Sequence, residues 1–299
     1  MPLGDIEVAL DVHGTLAQDI ACRSCGYNLR GLPIEAVCPE CETAVGRSVH
    51  GDLLAFCDPA WVERLARGMR LLVAAIIASI VLGIIGNVVR GVFPSAAATT
   101  GVGVVSACLT VVRLFAYWQI TTPDPGAVAT AGPGTAATMR VVARWGLIGS
   151  SGVETVLMMF GGVNLGAPVQ AMTPSVAIIT VAWLLASLAS VIATYALFRY
   201  AASLADRLPD DKLRRSTVIA MWGYVVTTGT IVLLGAIAPF LFIGNATPGA
   251  GVLVLGLAFM VLIIPGVVFW IWSVVLAFKY RHRMSAAATR ARDTWARAA

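Results

Sequence analysis

Charged side chains are scarce in this chain. Asp, Glu, Lys and Arg make up 12% of 299 residues, while apolar types reach 58%; soluble domains run near ~25% and ~45–50%. A chain this poor in charge belongs to the membrane class. Histidine is scarcer still, at three residues: His13, His50 and His282. None lies in an apolar run, so a Ser–His intramembrane protease would lack its base. The H-E-x-x-H pair of a membrane metalloprotease is missing. Aspartate is absent from the apolar runs, which argues against an intramembrane aspartyl enzyme. There is no P-loop and no dinucleotide fingerprint. The opening residues, MPLGDIEVALDVHG, offer neither a basic n-region nor an apolar h-region, so no signal peptide is expected.

The charge that exists is unevenly placed. Residues 1–58 hold three Arg and nine acids, whereas 59–299 hold 18 Lys/Arg and seven acids. The basic excess therefore belongs to the apolar part, where it reports topology and contact with anionic lipid. An acidic head is the wrong partner for nucleic acid.

Long apolar runs are plentiful. The longest, 252–278, has 27 residues and no charge before Lys279, enough to cross ~30 Å of hydrocarbon with some tilt. Six spans can be drawn: 69–89, 96–120, 141–162, 174–198, 218–243 and 252–278. The loops alternate in basic content, and the positive-inside rule then puts both termini in the cytosol, with the lipid bilayer as the host. Asp58-Pro59 reads as an N-cap followed by Pro at the first helical position. Beyond it Trp61, Leu65 and Met69 share one face. That segment is either an amphipathic helix lying in the interface or the cytosolic overhang of the first span. Residues 207–215 read as a short solvated helix beside the headgroups. Cys57 is a lipidation candidate or a plain near-membrane thiol; Cys108 reads as a small packing residue.

Four of the six cysteines form two C-x2-C turns in CRSCGYNLRGLPIEAVCPEC. Each short turn aims two thiolates at one point, and two turns supply the four ligands of a closed structural Zn2+ site: Cys22, Cys25, Cys38 and Cys41. Iron in the same sulfurs, or a dithiol pair, would use the same residues. Gly26 and Pro39 suit tight knuckles. The segment resembles a zinc ribbon, and CRSCGYNLRGLP…CPEC in particular resembles the opening of uncharacterised planctomycete-type bacterial membrane proteins that pair such a ribbon with a helical membrane region. The resemblance implies a metal-stabilised head and does not indicate a biochemical activity. Glu42 stands where the second knuckle commonly has Gly, which strains that turn without removing a ligand.

The expected architecture is an all-α polytopic membrane protein of six transmembrane helices with a small N-terminal zinc ribbon. The divisions are a lead-in at 1–20 (an edge strand near 6–12 or a loose tail), the ribbon at 21–50, connector and amphipathic helix at 51–68, the bundle at 69–280 and a basic cytosolic tail at 281–299. Three tandem hairpins are suggested by recurring landmarks. The triplets Phe115-Ala116-Tyr117, Phe198-Arg199-Tyr200 and Phe278-Lys279-Tyr280 recur, as do Gly68, Gly146 and Gly223. Convergent helix-end chemistry would give the same signs.

Two ionisable groups lie well inside the spans, Arg113 and Glu154. Each is about 10–13 Å from the cytosolic end, on antiparallel neighbouring helices. Burying one alone costs at least ~2.5 kcal/mol, so the two are expected to face each other, either as an inter-helix lock or as a gate. The reading that follows is a non-enzymatic scaffold or sensor whose ribbon binds a cytosolic protein. The alternative is a small-solute or ion transporter using Arg113 and Glu154, which requires a cavity between the hairpins. A membrane enzyme acting on lipid has no residues at catalytic spacing to support it.

Overall fold

The computed structural model describes residues 10–11, 13–22, 24–49, 53–93, 95–125, 135–160, 174–208, 210–241 and 250–298. Most of the edge strand read at 6–12, Arg23 and His50 lie outside them. Among the described residues the structure is helical, with seven α-helices and four isolated bridges. A short α1 (Val45–Val49) ends the head and a 3-10 turn (Leu54–Phe56) follows. Six long helices come next: α2 (Pro59–Val92), α3 (Ala96–Ile120), α4 (Thr135–Phe160), α5 (Pro174–Asp206), α6 (Asp211–Leu241) and α7 (Ala250–Ala298).

Starts of these helices follow from capping chemistry. Asp58 accepts from the Ala60 amide at 2.9 Å with Pro59 behind it. Ser95 caps α3 through the Ala98 amide at 3.2 Å, and Asp210 caps α6 through the Leu213 amide at 3.0 Å. Each side-chain oxygen satisfies an amide that has no partner in the first helical turn. Among the described residues, five of the six long helices are long and apolar enough to cross a membrane. The exception, α4, carries Arg140, Arg144 and Glu154.

Each long helix packs on its sequence neighbours, and α7 returns to α2, so the six close a ring. The buried core is concentrated at the head end. There Trp61, Leu65, Met69, Ile120, Leu204, Leu276, Tyr280 and Met284 meet. Away from it the helices turn apolar side chains outward, such as Ile77 and Val81 on α2 and Met260 and Ile264 on α7, as a lipid-facing surface requires.

One open alternative is decided here and two sequence expectations change. Trp61, Leu65 and Met69 do share a face, but that face is buried in the bundle; the segment is the overhang of α2, because its apolar stripe finds protein rather than lipid. The basic tail is a continuation of α7. Its Ala287, Ala288 and Ala291 are buried, Trp295 Nε1 donates to the Cys57 carbonyl at 3.0 Å, and Arg292 pairs with Glu63 at 3.3 Å. Among the described residues of 207–215, 207–208 form a turn and 211–215 begin α6, so they make no separate helix.

The hairpin landmarks coincide with contacts. Gly68, Gly146 and Gly223 each lie where the first helix of a hairpin presses on the second, against Gln119 and Ile120, Ala193, and the Phe269 ring. These partners fall at different distances from the repeated tyrosines, so the crossings share a glycine and not a register. The tyrosines link hairpin to hairpin. Tyr200 donates its hydroxyl to the Ile120 carbonyl at the end of α3 (3.3 Å), and Tyr280 donates to the Ala201 carbonyl in α5 (3.0 Å).

Candidate metal centre and membrane cavity

The two cysteine knuckles share one backbone design. The Cys22 amide donates to the Tyr27 carbonyl at 2.7 Å and the Gly26 amide to the Cys22 carbonyl at 2.8 Å. In the second, Cys38 donates to Thr43 at 2.8 Å and Glu42 to Cys38 at 2.9 Å. The fourth position after each leading cysteine needs the left-handed conformation. Gly26 has φ 80° and Glu42 has φ 57°, the one non-glycine among the described residues with positive φ. The strain expected at Glu42 is therefore present in the backbone.

All four sulfurs lie within 4.8 Å of one another. Cys22 and Cys41 are 3.6 Å apart, as are Cys25 and Cys38. Sulfurs ~2.3 Å from a shared tetrahedral centre would be about 3.8 Å apart, so the donor set fits one metal ion. Cys22 and Cys38 are buried, while Cys25 is exposed. Their protons are unevenly held. Desolvation would raise Cys41, but the Thr43 hydroxyl and amide and the sulfurs of Cys25 and Cys22 outweigh it and bring the thiol down to about 6. At Cys25 the Tyr27 amide favours the thiolate, yet desolvation and the other three sulfurs push it up to about 12.

Part of the lead-in belongs to this head. Asp11 accepts from the amides of His13 and Thr15 (both 2.9 Å) and from the Thr15 hydroxyl (2.6 Å). Leu16 is fully buried and packs with Cys22, Leu29, Cys38 and Val45.

The head is seated on the bundle. The Phe56 ring lies directly over Gly46. Arg47 of α1 reaches Asp124 at 3.4 Å, and Arg207 after α5 reaches the same Oδ2 at 2.6 Å. Arg207 also lies 3.1 Å from the Cys57 sulfur and over the Trp61 ring at 5.1 Å. Trp61 Nε1 donates to the Thr122 carbonyl at 3.0 Å. Asp124 is 3% exposed, so two guanidiniums compensate a carboxylate taken out of water. None of this was read from the sequence. The available signal was that Asp124 is the only acid between Glu63 and Glu154. Cys57 is fully buried within this cluster, which rules out a lipidation site in this arrangement. Cys108 is exposed on α3 rather than packed.

Inside the ring is a cavity of about 600 Å³, to which all six long helices contribute. Its lining on α2 runs from Met69 to Asn87, and Tyr117, Tyr200 and Tyr280 all face into it. At the head end it is floored by Leu204, Tyr280 and Met284, each at most 3% exposed. Arg113 lines this cavity and Glu154 does not. The two are within electrostatic reach, but no ion pair joins them; Arg113 Nη2 donates instead to Thr110 Oγ1 at 3.3 Å. Arg144, whose role the sequence did not suggest, caps the end of α3. It donates to the carbonyls of Thr121 (2.6 Å) and Trp118 (3.2 Å) and stacks on the Trp118 ring, the favourable place for a cation at a helix C-terminus.

No family model, no curated protein and no solved structure matches the chain.

Proposed function

We propose that the chain is a six-span protein of a bacterial cytoplasmic membrane with both termini in the cytosol, acting as a non-enzymatic sensor. Its bundle holds a small molecule in the central cavity, and its ribbon, closed on a structural Zn2+, presents the bound state to a cytosolic protein. The resemblance of the ribbon to the heads of planctomycete-type membrane proteins agrees with this layout. The observation that carries the reading is the shared wall between cavity and head. Leu204 floors the cavity, and three residues further on Arg207 clasps the Asp124 that also holds Arg47. Occupancy above the floor therefore bears on the seat of the ribbon below it.

A transporter built on Arg113 is the second reading, favoured by the same cavity. It needs a path past Leu204 and Met284, which are buried at the head end.

Elemental mass spectrometry on the purified chain is expected to give one zinc, lost in the Cys22→Ser/Cys38→Ser variant. Hydrogen exchange then tests the coupling. Ile80→Trp, which fills the cavity, should alter amide protection in residues 45–49. Unchanged head exchange, together with solute uptake in reconstituted vesicles, would replace the sensor by the transporter.

A further inference from the structure

We infer that the cavity takes a single-chain amphiphile with a carboxylate head, seated on Arg113. The inference rests on the sensor reading above and names the ligand class for it. Charge is the first argument. Arg113 is the one ionisable Asp, Glu, Lys or Arg among the lining residues, and no acid lines the space with it. A guanidinium has five N–H donors, and the one protein acceptor of Arg113 among the described residues is Thr110 Oγ1. The remaining donors suit a carboxylate, which a guanidinium binds as a planar, two-pronged partner. A single guanidinium, with the hydroxyls of Tyr117 and Tyr224 in the same lining, matches a monoanion better than a doubly charged phosphate ester. An anion there also offsets the cost of holding Arg113 at membrane depth.

Shape is the second argument. The walls beyond Arg113 are apolar, with Ile76, Ile80 and Ile84 lining one side along α2. The lining on that helix runs from Met69 to Asn87, eighteen steps or about 27 Å of helix, so the space is long for its volume. About 600 Å³ falls within the ~300–1,000 Å³ of small-molecule sites. A long, apolar-walled space with one cation accommodates an extended acyl chain with its carboxylate at Arg113.

The test uses the full chain in nanodiscs of zwitterionic lipid and a diazirine-bearing palmitate, with adducts mapped by peptide mass spectrometry. Labelling is expected on Ile76, Ile80 or Ile84, and unlabelled palmitate should compete at least tenfold better than hexadecanol, which has the same chain and no charge. Arg113→Gln should bring that ratio close to one, and Arg113→Lys should keep part of it. Equal competition by acid and alcohol in the wild-type chain would overturn the carboxylate assignment while leaving a cavity that binds apolar molecules. Label confined to Ile77, Val81 and Ile85, which face outward on α2, would overturn both the ligand and the sensor reading.

Discussion

Asp124 and Arg207 are eighty-three residues apart in the chain and 2.6 Å apart in the fold. Arg47 completes the cluster from the head at 3.4 Å. Removing the shared carboxylate leaves two guanidiniums facing each other in a site that water hardly reaches. Asp124→Asn should cost about 3–5 kcal/mol, read as a lower midpoint in unfolding of the detergent-solubilised chain by a denaturing surfactant. Arg47→Ala keeps the Asp124–Arg207 pair and should cost less. Its larger effect should be faster amide exchange across residues 45–49, with α4 and α6 unchanged.

Helix crossings separate two glycines that look alike in sequence. A Cβ on Gly146 would meet the Ala193 Cβ at 2.6 Å, while one on Gly149 would meet nothing within 4 Å. Gly146→Ala is expected to destabilise by about 1–3 kcal/mol by forcing α4 and α5 apart. Gly149→Ala should be neutral or stabilising by up to about 1 kcal/mol, the helix-propensity difference. The same surfactant titration compares the two, and equal effects would contradict the close α4–α5 contact.

Glu42 pays for its left-handed backbone without using its side chain as a ligand. Glu42→Gly removes the steric cost of a Cβ at φ 57°, worth about 1–2 kcal/mol, and adds part of that back as lost chain entropy. A net gain of about 0.5–1 kcal/mol should appear as a few-fold higher metal affinity in competition with a chelator. Gly26→Ala should shift the affinity the other way, because φ 80° there is open only to glycine at low cost.

Acid should loosen the head. The Thr15 hydroxyl and amide hold the Asp11 carboxyl below its ordinary range, and Asn28 followed by Arg30 does the same for Asp19. Both bind a proton more weakly folded than unfolded. Their contribution is therefore present above the ordinary carboxylate pKa and is lost as pH falls through the lowered folded values. Amide protection at Thr15 and Leu16, corrected for intrinsic exchange, should fall through that window. It should fall less steeply in Asp11→Asn.

What could be read in advance was local. Asp58-Pro59 announces a helix start because both residues act within one turn. The cysteine pairs announce a four-sulfur cluster that could hold a metal ion because ligand geometry is set inside each x2 spacing. Gly68, Gly146 and Gly223 recur at a fixed period, which marks contact sites without naming what they touch. The cluster of Arg47, Asp124 and Arg207 gives no such sign, since its members are ordinary loop and helix-end charges until folding joins them. Arg113 and Glu154 show how adjacency misleads. Depth and antiparallel order allowed them to face each other, but rotation about each helix axis decides the contact, and Arg113 turns into the cavity instead. The tail of α7 was opaque for a similar reason. Its alanines and arginines fit a solvated helix equally well, and only the docking surface at Cys57 distinguishes the two.

That long helix has a mechanical side. After Pro265 it runs without interruption to Ala298, about 50 Å of rod. One part of this rod is long and apolar enough to cross a membrane and the other is pinned at Trp295 to the turn that carries the head. A helix of this kind has no joint at the water boundary, so its inclination in the lipid and the position of its pinned end form a single degree of freedom. A thinner bilayer, which makes spanning helices lean, pulls on that pin.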